Sequence, residues 1–294
     1  MPHSKGWRVD PPDLRDLCPT SQTIQEILSP FKTGEHKPIE LPIVVDNRAH
    51  CTPIRDQGRL GSCVAFSCCG MYEYLEKKTH GKFIEGSELF VYKMARYVMK
   101  LHGESDGTGD TGAYLRSGVG ALAHFGMPPE VSDPYEIDKF DNIPGPEIFS
   151  IAKDYQILKY FRLDPYTEPQ KNLDLIRSWL AKGFATVFGF SCYNSVLNQA
   201  ETTGAIPYPT TQDTISGGHA VVTVGYDNNK VISNSDNGKS TTGAFLIRNS
   251  WSENWGEKGY GWIPYEYLLS GQGLAQDFWC VIKMEWLDSD LFHW

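Results

Sequence analysis

Apolar residues recur at helical spacing in the first half of the chain and crowd into short β-branched and aromatic runs in the second. Over residues 63–78, Ala65, Phe66, Cys69, Tyr72 and Leu75 share one helical face, which predicts a helix opening at Cys63. Ser62 stands as its N-cap and His80-Gly81 as its stop. Further helices are predicted near residues 87–100 and 112–125, with Pro128-Pro129 closing the last. Beyond Gly145-Pro146 the pattern changes. Strands are predicted at 155–161, 185–190, 220–226, 244–249, 260–263 and 278–284, interrupted by a helix at 173–182. Asp227-Asn228-Asn229-Lys230 and Asn237-Gly238 read as turns. The expected architecture is therefore α+β with two lobes, a mainly helical one over about 41–150 and a β-rich one over about 151–294. Residues 1–40 are polar and proline-spotted, with one short helical stretch at 23–28, and are too few for a core of their own.

Composition narrows the partners. A chain of 294 residues, 40% hydrophobic, is large enough to fill two lobes. A net charge of −9 argues against a nucleic-acid or anionic-membrane partner. No apolar run is long enough to span a bilayer, and residues 1–10 lack the apolar stretch of a signal peptide. Seven cysteines show no Cys-x-x-Cys or His/Cys spacing for a metal, so neither metal nor cofactor is expected.

The chemistry gathers around Cys63. A thiol attacks a carbonyl only as thiolate. The first residue of a helix favours an anion, and a histidine partner would add a cation. His219, in the run Ser216-Gly217-Gly218-His219-Ala220, is the candidate. Asn249, in Arg248-Asn249-Ser250-Trp251, can fix the ring of that histidine without adding charge, and Trp251 can cover the bond from water. Gln57, six residues before Cys63, can join the Cys63 backbone N–H as an oxyanion donor. Taken singly, these residues would be a buried thiol, a core histidine and a turn asparagine. Their joint occurrence in this order points to nucleophilic acyl transfer.

This order of Gln57, Cys63, His219 and Asn249 resembles the papain-like cysteine proteases. So do Thr52-Pro53-Ile54-Arg55-Asp56-Gln57-Gly58, Gly109-Asp110-Thr111-Gly112-Ala113-Tyr114, Gly259-Tyr260-Gly261 and the aromatic-rich end from Asp277. The opening Trp7…Pro11-Pro12-Asp13-Leu14-Arg15-Asp16 looks most like bacterial and archaeal members. The resemblance implies a papain-like two-lobe fold with a cleft between the lobes, a peptide or protein substrate, and a cysteine endopeptidase acting through a Cys63 thioacyl-enzyme with His219 as acid and base. It implies that Gly61, Gly112, Ala113, Gly218 and Trp251 border the substrate. It also implies that Phe188 and Ala275, with Gly217, line a selective pocket of apolar preference.

The departures from the family pattern also carry expectations. Leu60 and Asp110 stand where the family has a paired cysteine bridge, so both halves are missing together. Val64 replaces an aromatic residue, and Ala113 replaces a glycine at the substrate edge. Without the bridge, reduced thiols and a cytoplasmic setting are expected, with export as the alternative. Residues 1–40 carry apolar anchors at Trp7, Leu14, Leu17, Ile24, Ile27, Leu28 and Phe31. They read either as an intramolecular inhibitor lying along the cleft or as a structural strap. Other functions compatible with the set are a peptide ligase or transamidase using the same acyl-enzyme, and a catalytically silent peptide-binding module. A serine hydrolase is disfavoured by the absence of Gly-x-Ser-x-Gly.

Overall fold

The computed structural model describes residues 3–28 and 40–284. It begins with a short strand, β1 (Trp7–Arg8), and a helix, α1 (Gln22–Leu28), followed by β2 (Val44–Asp46). The helical lobe contains α2 (Cys63–His80), α3 (Glu88–Leu101), β3 (Ala113–Tyr114), α4 (Leu115–His124) and α5 (Pro146–Ala152). The remainder is β4 (Ile157–Arg162), α6 (Pro169–Ala181), β5 (Thr186–Tyr193), α7 (Asn194–Ala200), β6 (Ile215–Ser233), β7 (Ser240–Arg248), β8 (Tyr260–Pro264), α8 (Glu266–Leu269) and β9 (Ala275–Met284).

Helix α2 is buried on every side over its first 14 residues, from Cys63 to Glu76. That all-round burial makes it the central pillar of the molecule. It ends as expected, with Gly81 left-handed at φ 69° and its N–H on Lys77 O. The expected cap at the other end is not made. The Ser62 hydroxyl bonds Tyr135 Oη at 2.6 Å instead of a helix amide. Ser87 does cap α3, accepting from the Phe90 N–H.

The second lobe is an antiparallel sheet in the order β4-β9-β5-β6-β7-β8, with β2 added to β6. Its two faces feed different cores. Val187, Ala220 and Val222 face α2 and the helical lobe. Phe188, Phe190, Val221, Phe245 and Ile247 face a second cluster with α6, α7 and α8. Period-two alternation along β5 and β6 produces this division.

Two predicted features differ in detail. The run Asp227-Asn228-Asn229-Lys230 is a bulge within β6 rather than a turn. Its Asx bond forms, from Asn229 N to Asp227 Oδ1 at 2.8 Å, but Val231 and Ile232 pair onward with Thr242 and Thr241. The reversal comes at Asn237-Gly238, as predicted. Pro146 marks no simple crossover. It opens α5, where its missing N–H costs nothing. Among the described residues, no helix is long and apolar enough to cross a membrane.

Candidate active site

Cys63 is the first residue of α2, and its side chain is fully buried. Burial pushes its thiol pKa up. The backbone N–H groups of Ala220, Gly6, Val64 and Trp7 pull the other way, without prevailing. Two of those four residues, Gly6 and Trp7, come from the N-terminal segment. The thiol therefore meets the chain's own backbone.

His219 sits on β6 immediately before Ala220, also fully buried. Its Nε2 lies 2.8 Å from Asn249 Oδ1. The same oxygen accepts the Ser250 N–H at 2.8 Å, which marks it as the amide oxygen. Nε2 must therefore carry the hydrogen, and Nδ1 is left as a bare, buried nitrogen without a partner. The Trp251 ring stacks on the imidazole with centroids 4.4 Å apart. Burial drives the His219 pKa down to about 3. The Asn249 bond opposes the shift, and the charges of His3 and Lys5 add to it.

Gln57 is wholly buried and ties the two lobes together. Its Oε1 accepts from Ser250 Oγ at 2.7 Å, and its backbone N–H donates to Ser250 O at 3.0 Å. Its amide nitrogen donates to Leu60 O at 2.9 Å and to Ser4 O at 3.1 Å. A peptide carbonyl of the N-terminal segment thus occupies one of its two N–H groups.

Residues 3–10 run through the cleft as a strap. His3 stacks on Trp251 and reaches Asp56. Lys5 Nζ bonds Asn194 Oδ1 and Ser216 Oγ, each at 2.6 Å. β1 pairs in parallel with β3, and Ala113 N donates to Gly6 O at 2.8 Å. Trp7 is buried against Gly189 and Gly218, with Nε1 donating to Asp277 Oδ2 at 3.1 Å. Asp10 closes the strap. It accepts from Trp279 Nε1 at 2.8 Å and from the Arg116 N–H, and its own N–H donates to Asp277. Asp16 follows with an ion pair to Arg116. Of the predicted apolar anchors, Trp7 and Ile24 are buried and Leu17 is partly packed, whereas Leu14 is fully exposed. The side chains of Ile27 and Leu28, and all of Phe31, lie outside the described residues.

Residues 41–268 match the family model for papain family cysteine proteases. The chain belongs to that family. It is 31% identical over 286 residues to an uncharacterized peptidase C1-like protein of Acanthamoeba polyphaga mimivirus, covering 94% of this chain and 86% of the relative. It also shares 31% identity with xylellain, a cysteine protease from Xylella fastidiosa. There the TM-score is 0.73 and 96% of each chain is covered. A cathepsin L-like proteinase of Fasciola hepatica is 23% identical over 82% of this chain and 70% of its own length.

In this papain-family cysteine protease, the position of the missing disulfide is held by polar bonds. Asp110 accepts the Gly61 N–H at 3.0 and 3.1 Å, and Tyr92 donates to the same carboxylate. All seven cysteines are free thiols. Gly61, Gly112, Ala113, Gly218 and Trp251 all lie against the strap or its neighbours. Phe188 and Ala275, expected to line a pocket of the cleft, do not line it. Phe188 stacks on Phe278 at 4.5 Å in the second core, and Ala275, paired with Phe190, faces that same core. Gly189, one residue from Phe188, points to the other face and takes the place assigned to it. Gly189 and Asp277 escaped the sequence reading. A glycine inside an apolar strand was the available signal for a close approach.

Proposed function

We propose that the chain is a cysteine endopeptidase whose residues 3–10 hold it closed. In the open form, the Cys63 proton passes to His219 Nδ1. The thiolate attacks the peptide carbonyl, a C–S bond forms, and the oxyanion takes hydrogen bonds from Gln57 and the Cys63 N–H. His219 returns the proton to the leaving nitrogen as the C–N bond breaks. Water then attacks the thioester, giving its proton to His219 and releasing the acid and the thiol. Asn249 keeps Nε2 protonated throughout, so Nδ1 remains the working nitrogen.

The observation that carries this reading is the carbonyl of Ser4 on the Gln57 amide, beside a backbone pressed on the Cys63 sulfur. The chain's own peptide occupies the place of a substrate. The closed form also favours the unreactive protonation states, a neutral thiol and a neutral imidazole. Seven free thiols support a reducing, cytoplasmic setting.

The test is cleavage of a mixed peptide library by the full chain and by Cys63→Ala. Cleavage that disappears in Cys63→Ala, with a Cys63 thioester trapped by mass spectrometry at low pH, is the expected result. Cleavage that persists in Cys63→Ala would overturn the assignment.

A further inference from the structure

The slot that Trp7 fills is shaped for an indole. Its walls are Gly189 on β5 and Gly218 on β6. A Cβ on Gly189 would lie 1.9 Å from the indole, and one on Gly218 would lie 2.6 Å from it. Any side chain at either position would close the slot. At its end is Asp277, 1% exposed, whose Oδ2 accepts the indole N–H at 3.1 Å. Asp277 is held from behind. Its Oδ1 takes Arg162 Nη2 at 2.9 Å, and its backbone N–H donates to Asp164 at 2.8 Å. Neither tether belongs to the strap, so both remain when the strap leaves.

Charge decides what the empty slot accepts. With the strap in place, the carboxylates of Asp10, Asp16, Asp164 and Asp277 meet the guanidiniums of Arg116 and Arg162. Asp10 departs with the strap, whereas Asp277 keeps Arg162 as its cation, so a cationic side chain would set a second positive charge beside that guanidinium in a buried site. A neutral donor brings none. The acceptor meets Nε1 on the edge of the ring, so a phenol with its hydroxyl at the far end does not reproduce the contact.

We infer that Asp277 is a specificity-determining residue, and that the substrate side chain seated in this slot is tryptophan, selected over phenylalanine through its indole N–H. This rests on the reading of the cleft as a peptidase site and adds the class of side chain it takes. A buried acceptor left without its donor gives about 10- to 100-fold discrimination.

The test uses the full-length chain with Trp7→Ala, which vacates the slot. Peptides copying residues 3–12, with tryptophan, 1-methyltryptophan or phenylalanine at the place of Trp7, are titrated against the Trp7→Ala/Cys63→Ala chain. The tryptophan peptide is expected to bind about 10- to 100-fold tighter than the other two. Asp277→Gly, which suits the left-handed backbone at φ 61°, should erase the difference. If that variant does not fold, the 1-methyl comparison on intact Asp277 decides alone. Equal binding of the three peptides overturns the inference. The active Trp7→Ala chain is then profiled on a peptide library. Enrichment of tryptophan over phenylalanine at one fixed offset from the cut supports the inference, and cleavage without it overturns it. Absence of all cleavage counts against the peptidase reading, while the binding ratio still decides the slot.

Discussion

Gly6→Ala should switch the full-length protein on. Gly6 passes so close to Gly61 that a Cβ there would lie 1.8 Å from Gly61 O, 2.4 Å from its carbonyl carbon and 2.7 Å from its Cα. All three are backbone atoms at the turn into α2, and the turn is pinned by Asp110 on the Gly61 N–H. The turn cannot yield, so the strap must lift. Gly6 itself does not have a positive φ, so alanine brings no backbone strain of its own. Overpacking of this kind costs about 1–3 kcal/mol, which shifts the closed-to-open ratio by about 5- to 150-fold. While the closed form dominates, kcat/KM on a short fluorogenic peptide should rise by the same factor. The rate of Cys63 alkylation should rise in parallel, because both need the strap displaced. Lys5→Ala is the graded companion. It removes two exposed bonds without a clash and should raise activity only a few-fold, by about 1 kcal/mol or less. Unchanged activity and alkylation in a Gly6→Ala protein of unchanged melting temperature would refute the reasoning.

Three other outcomes are expected. Gln57→Ala should lower kcat by about 10²–10³ on a peptide amide; in the closed protein it should also loosen the strap, read as faster Cys63 labelling despite the lost activity. Limiting iodoacetamide should label Cys63 ahead of Cys68, Cys69, Cys192 and Cys280 once Gly6→Ala opens the cleft, since burial raises the pKa of those four thiols and no helix start or histidine serves them; peptide mapping checks this. Opening of the full chain, followed by Cys63 labelling corrected for thiolate ionisation, should increase between pH 5 and pH 8, and Asp10→Asn should flatten that rise.

Much of the site was legible because it is local. Cys63 at a helix start, Gly-His in an apolar strand and Asn-Ser-Trp after another are short motifs, each carried by its own element. The two-lobe fold was legible for the same reason, since helical and strand periods gather in different halves of the chain. What stayed hidden depends on pairings across the whole chain. Trp7 and Asp277 are 270 residues apart, and their bond depends on β9 being placed beside β5. Phe188 was misassigned by one position on a strand, and one position exchanges the faces of a sheet. Leu14, an apolar residue in a polar stretch, proved exposed, flanked by Asp13 and Arg15, which bond each other. Asp227-Asn228-Asn229-Lys230 makes the local bond of a turn, yet the β6–β7 ladder overrides it.

The strap and the catalytic pair respond differently to protons. In the closed form Asp10 and Asp277 both hold their protons more tightly than free carboxyls. Burial is the main cause for each, and for Asp277 the neighbouring charges of Asp10 and Asp164 add to it, reaching about 8. Facing them are Arg116 from α4, Arg162 and Asp164 from the β4 edge, Asp16 from the turn after the strap, and the indole N–H groups of Trp7 and Trp279. Raised carboxyl pKa values mean that the closed form binds more protons than the open one. Its advantage is complete below the ordinary carboxylate range and is lost as pH climbs toward 8. Opening also lets the Cys63 proton move to His219, but that transfer is internal and exchanges none with solvent across the same window. Only well below it, where His219 in the closed form resists protonation down to about 3, does acid favour opening. The carboxyl clasp therefore sets the direction near neutrality: a falling pH fastens the strap, and a rising pH frees the thiol.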